Sequence, residues 1–120
     1  MLRTSMILAL GAMLSLPALA DPPKILDGRL VDQHNMTLYV FDQDTTVGKS
    51  MCNGACATNW APALADAYDK ASGNWSFVMR DDGQRQWAYK GHPLYHWVID
   101  KKPGDATGDG IKGVWHVAKP

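Results

Sequence analysis

The sequence predicts a mainly β protein, a single small domain of two related antiparallel β units with a short helical or irregular insert. Three observations carry this. Good helix formers are scarce: among 120 residues there is no Glu, while 11 Gly and 7 Pro punctuate short extended runs. Those runs alternate with the two-residue period of a strand. One of them occurs twice, since Leu38-Tyr39-Val40-Phe41-Asp42-Gln43-Asp44 matches Leu94-Tyr95-His96-Trp97-Val98-Ile99-Asp100 at a constant offset of 56 residues.

The chain opens on a short basic start, Met1 to Ser5, and an apolar run from Met6 to Leu16. That run is too short for a membrane span of about 20 residues. With the small-x-small triplet Ala18-Leu19-Ala20, residues 1–20 read as a secretory signal cut before Asp21. Residues 21–27, beginning Asp21-Pro22-Pro23-Lys24, read as a leader too polar and Pro-rich to pack, and 28–120 as the folded domain. The halves divide at about 72: 28–72 and 73–120.

Within the first half, Arg29–Asp32 and Met36–Phe41 are extended runs around the turn Gln33-His34-Asn35. Cys52–Tyr68, rich in Ala and broken by Pro62, is the helical or irregular insert. A hairpin follows, Trp75–Arg80 and Gln84–Tyr89 around Asp81-Asp82-Gly83, with Trp75, Phe77 and Met79 on one face. Leu94–Ile99 and Val114–Val117 close the chain. After the signal, 11 Lys and Arg face 12 Asp. So balanced a charge excludes binding nucleic acid or anionic lipid by charge alone. Five Trp, four Tyr and two Phe supply the apolar surface that few Leu and Ile provide.

Each half carries Leu-Tyr-x-aromatic-x-x-Asp followed by a Trp: Tyr39, Phe41, Asp44 and Trp60, then Tyr95, Trp97, Asp100 and Trp115. Tyr and the next aromatic share a strand face, and the Asp falls where the strand ends, placed to accept backbone N–H bonds from the following loop. The set reads as structural, a core and a corner. The doubled motif, together with Cys52-Asn53-Gly54-Ala55-Cys56, Asn59-Trp60, Trp87-Ala88-Tyr89-Lys90-Gly91-His92-Pro93-Leu94-Tyr95 and Gly113-Val114-Trp115, resembles a family of bacterial secreted or lipoprotein-like repeats of unknown function. The resemblance spans nearly all of the exported chain and implies almost nothing about activity. Lipoproteins need a Cys at the cleavage point, where this chain has Asp21, so a soluble exported protein, periplasmic or secreted, is expected.

Cys52 and Cys56, the only cysteines, are expected to form a structural disulfide. On a helix their Cα atoms would lie roughly 6 Å apart, within bridging range. Their spacing is not that of a thioredoxin-like pair, and Ala57 stands where a haem-attachment motif needs His. His92 and His96 are the speculative metal ligands, for copper or zinc. A strand would hold them about 13 Å apart, so a site would need ligands from neighbouring strands. Asp100–Gly110 lacks the EF-hand order and reads as an ordinary loop. No nucleophile-base constellation is present among Ser50, Ser72 and Ser76, and no cofactor is predicted. The expectation is a small exported non-catalytic module that binds a ligand or partner. A periplasmic copper or metal binder and a disulfide redox protein stand as the rival classes.

Overall fold

The computed structural model describes residues 22–120, so the signal expected at residues 1–20 lies outside the described residues. Strands β1 (Lys24–Leu26) and β2 (Arg29–Val31) form a hairpin. Its tight turn is Asp27-Gly28, both at positive φ, as a two-residue hairpin turn requires. The leader expected at 21–27 therefore ends earlier: Lys24–Leu26 is a paired strand, and Pro23 is buried. The main partner of β2 is β1, and only the bridge Val31 to Thr37 joins it to the run leading into β3 (Tyr39–Phe41).

Helix α1 (Ala55–Asn59) is a single short turn. The expected insert is thus smaller than Cys52–Tyr68, because Trp60–Pro62 is strand β4. Pro62 is tolerated there because β4 lies at the edge of its sheet. The second hairpin is β5 (Trp75–Met79) against β6 (Arg85–Tyr89), continued by β7 (His92–Pro93). Then come β8 (Tyr95–Trp97), a 3₁₀ turn at Ile111–Gly113, and β9 (Trp115–Val117).

The central sheet has the order β4-β8-β3-β9, antiparallel throughout. Its strands alternate between the two halves of the chain, so each strand there pairs only with strands of the other half. The two related units are therefore interleaved. An approximate two-fold axis passes between Tyr39 and Tyr95, which are direct partners across β3 and β8.

The backbone obeys that axis well beyond the motif. Ala63 N–H donates to Leu94 C=O at 2.9 Å, and Ala118 N–H donates to Leu38 C=O at 2.8 Å. Leu38 N–H bonds Leu30 C=O and Leu94 N–H bonds Trp87 C=O, each at 3.0 Å. Hairpin β1–β2 thus answers hairpin β5–β6.

Two apolar clusters follow from the strand alternation. Tyr39, Trp60, Tyr95 and Trp115, with Cys52, fill one side of the central sheet. Leu38 and Leu94 point the other way and pack with Leu30, Ala63, Trp87, Tyr89 and Ala118.

Candidate functional site

The duplicated motif forms one site, at the two-fold axis. The Tyr39 hydroxyl donates to Asp100 Oδ2 at 2.6 Å, and the Tyr95 hydroxyl donates to Asp44 Oδ2 at 2.6 Å. Each tyrosine is thus bound to the aspartate of the opposite half. The second carboxylate oxygen of each aspartate closes its own loop seven residues on: Met51 N–H donates to Asp44 Oδ1 at 2.6 Å, and Thr107 N–H to Asp100 Oδ1 at 3.0 Å. The Thr107 hydroxyl adds a further bond to Asp100 at 2.7 Å. Both phenols are fully buried. Burial, reinforced by the neighbouring carboxylate, pushes each hydroxyl well above the ordinary phenol range.

The rings stack beside this lock. Trp60 lies on Trp115 at 3.8 Å and 2°, Trp97 on Trp60 at 4.2 Å and 26°, and Phe41 on Trp115 at 4.2 Å and 10°. Tyr39 meets Trp60 edge-on at 5.3 Å, and Tyr95 meets Trp115 at 5.1 Å. All eight motif side chains named from the sequence therefore meet in one cluster.

The halves differ in how they support it. Gly108 lies 56 residues beyond Cys52, and its N–H donates to the Tyr39 hydroxyl at 3.2 Å. A Cβ there would come within 2.7 Å of Trp60 and 2.9 Å of Trp97, so only glycine admits the stack. At the equivalent place in the first half, Cys52 is buried and bonded to Cys56, with Cα atoms 5.2 Å apart. Gly54 and Gly110, again 56 apart, both take positive φ ahead of their helical turns.

The first half also carries a buried polar network that the sequence reading did not single out. Arg80, 7% exposed, donates through one guanidinium nitrogen to Ser50 Oγ and Gln86 Oε1, and through the other to Cys52 C=O and Asn53 Oδ1. Ser50 Oγ lies 2.6 Å from the Tyr95 hydroxyl, which links Arg80 to the Tyr95–Asp44 pair. Burial raises the Asp44 carboxyl above its usual range, outweighing the Tyr95 hydroxyl, the Met51 N–H and the Arg80 charge. The available signal was strand alternation, which sets Arg80 on the same face of its strand run as buried Val78.

The two histidines proposed as metal ligands are held differently. His92 is exposed on β7, whereas His96 Nε2 lies 2.8 Å from Asp32 Oδ2. Asp32 also accepts from the backbone N–H groups of His34 and Met36. These bonds outweigh its burial and hold its carboxyl below the usual range. His116 pairs in the same way with Asp42, at 2.8 Å. Among the described residues, no three His, Cys, Asp or Glu side chains group as metal ligands do. In the Asp100–Gly110 loop, Asp105 accepts from the backbone of Lys101 and Lys102 and from the Lys102 ammonium, which with its neighbours holds its carboxyl at about 2. Asp109 accepts from Val117 N–H. Asp105 thus serves its own loop, and Asp109 ties that loop to β9.

An open groove of about 690 Å³ lies beside the site, between the loop after β3 and the turn before β7. Leu30, Val40, Phe41, Leu94 and Ala118 supply its apolar wall, and Asp42, Lys90, His92 and Lys119 its charged and polar groups. The exposed Val47 also lines it. No described helix is long and apolar enough to cross a membrane.

No curated protein and no solved structure matches this chain. A family model does, Lipoprotein_15, described as a secreted repeat of unknown function, over residues 26–64 and again over 76–119. Those two matches coincide with the halves that the backbone hydrogen bonds relate by the two-fold axis. The chain therefore belongs to this family of secreted repeats of unknown function, and carries two copies of the repeat.

Proposed function

We propose that the protein is a small exported, non-catalytic module that binds a ligand or partner in the periplasm or at the cell surface. The observation that carries this reading is the groove beside β3. It is concave, largely apolar and furnished with a few polar groups, which is the usual make-up of a binding site. Of the motif side chains, Phe41 and Asp44 line this groove, while the two tyrosine hydroxyls are buried and already bonded. Asp21, not Cys, at the expected cleavage point supports a soluble form. The near-neutral charge supports a partner other than nucleic acid.

Neither rival class gains an observation here. His96 is engaged by Asp32, and buried Cys52 is bonded into the apolar core, away from the exposed setting of an exchangeable thiol.

Amide NMR of the exported protein, titrated with a panel of short peptides and small amphiphiles, tests the reading. Binding should shift Val40, Phe41, Leu94 and Ala118 together, and a bulky Thr46→Trp change on the groove wall should weaken it. Shifts confined to other faces, or turnover of any panel member, would overturn it.

A further inference from the structure

Parallel aromatic rings prefer an offset or edge-on arrangement to a face-to-face one, for the electrostatic reason that their negative faces repel. Trp60 and Trp115 nevertheless lie 3.8 Å apart at 2°, with Trp97 stacked on Trp60 at 4.2 Å. Overlap of this kind has one well-defined electronic consequence. An indole that loses an electron shares the resulting hole with a parallel indole, which makes the pair easier to oxidise than either ring alone.

A second feature adjoins the first. Tyr39 touches Trp60 and Tyr95 touches Trp115, and each phenol donates to a carboxylate at 2.6 Å, the short range of charge-assisted bonds. A phenol gives up an electron readily only when its proton has somewhere to go at once.

We propose that the aromatic centre is a one-electron relay, in which a hole enters at Trp97, passes to the Trp60–Trp115 pair and settles on Tyr39 or Tyr95. The oxidant is a small oxygen- or nitrogen-centred radical reaching the protein from solution. It gains one electron and becomes the corresponding anion. The chain loses that electron, and no atom leaves it. At the terminus the tyrosine O–H bond breaks, an O–H bond forms on Asp100 Oδ2 or Asp44 Oδ2, and the products are a neutral phenoxyl radical and a neutral carboxylic acid. An uncharged product pair suits a buried site, where a separated charge is costly. Both phenols resist ionisation, so electron and proton leave together.

The two halves differ at the entrance. The residue related to Trp97 by the two-fold axis is Phe41, stacked on Trp115 at 4.2 Å. The packing accepts either ring, but only the indole is readily oxidised. Trp97 is also partly exposed, whereas Trp60 and Trp115 are buried. The relay is independent of the groove and of the disulfide.

Pulse radiolysis with the azide radical, a selective oxidant of indoles, tests the relay. A Tyr68→Phe/Tyr89→Phe background leaves Tyr39 and Tyr95 as the only tyrosines. The indolyl-radical band should decay at a rate independent of protein concentration while the tyrosyl band grows with it. Tyr39→Phe/Tyr95→Phe should abolish that growth, and Trp97→Phe should reduce its yield. Should the double variant fold poorly, the parent protein in D2O gives the same test, because coupled proton transfer slows on deuteration. Tyrosyl growth that survives the double variant, indolyl decay by bimolecular collision alone, or growth unaffected by deuterium would overturn the proposal.

Discussion

Tyr39 and Tyr95 face each other across the antiparallel pairing of β3 with β8, and each donates its hydroxyl to the aspartate that follows the other's strand. The motif is therefore reciprocal. The phenol of one repeat is not bonded by that repeat's own aspartate, and the second repeat supplies the carboxylate while presenting the same need. Two copies satisfy each other around the axis, which explains why the halves interleave in one sheet.

Tyr39→Phe removes the bond to Asp100 and leaves the Gly108 N–H without its acceptor in a buried setting. Loss of a hydrogen bond to a charged group costs about 1.5–3 kcal/mol. Urea unfolding should show a loss of that size. In a double-mutant cycle with Asp100→Asn the two changes should be non-additive by roughly 0.5–3 kcal/mol, as for residues sharing one bond. Strict additivity would mean that the two side chains are not coupled through this bond.

Gly108→Ala tests the close approach of the loop to the indole stack. The added methyl would overlap Trp60 and Trp97, and the nearest atoms belong to rings that are themselves stacked. Overpacking of this kind costs about 1–3 kcal/mol. The near-ultraviolet circular dichroism of the stacked indoles should change with it. An unchanged spectrum and midpoint would show that the stack shifts freely.

The duplicated strand was legible because its signals are local: a period of two, a constant offset, and an aspartate at a strand end. Partner choice was not. Nothing within Leu38–Asp44 states that Tyr39 bonds Asp100 in preference to Asp44, since both lie at a strand end and only the interleaved sheet decides between them. Arg80 was passed over for a related reason: its partners Ser50, Cys52 and Asn53 lie about thirty residues away and have no spacing that marks a site. The β1 strand was missed although a local signal existed, the hairpin dipeptide Asp27-Gly28. The polar, Pro-rich segment Asp21-Pro22-Pro23-Lys24 outweighed it. The groove had no sequence signature, because its wall comes from Leu30, Val40, Leu94 and Ala118, on four separate segments.

The disulfide closes only a five-residue loop, which by the chain-entropy model contributes about 2 kcal/mol. Its second-half counterpart follows a similar path from Asp100 to Trp115 with no cysteine. Cys52→Ser/Cys56→Ser should therefore fold, with unfolding midpoint lowered by a comparable energy. In the parent protein the buried Cys52 should resist dithiothreitol until the chain unfolds. Rapid reduction in the native state, read by thiol labelling and mass measurement, would contradict this.

Alkaline unfolding gives a prediction whose sign follows from the two phenols. Burial and a neighbouring carboxylate raise both above their unfolded value, so the native state keeps protons that the unfolded chain releases above about pH 10. A group with a raised folded value contributes stability that is fully present below the unfolded value and is lost as pH rises above it. Each retained proton tilts stability by about 1.4 kcal/mol per pH unit, so the two phenols together give about 2.7 kcal/mol per unit above pH 10. Unfolding free energies from urea titrations, measured from about pH 9 upward, should stay level to about pH 10 and then fall along that slope. Tyr39→Phe/Tyr95→Phe should lower the starting stability yet flatten the slope, because the variant has no phenol at either place to withhold a proton. A variant that retained the full slope would locate the alkaline transition elsewhere in the molecule.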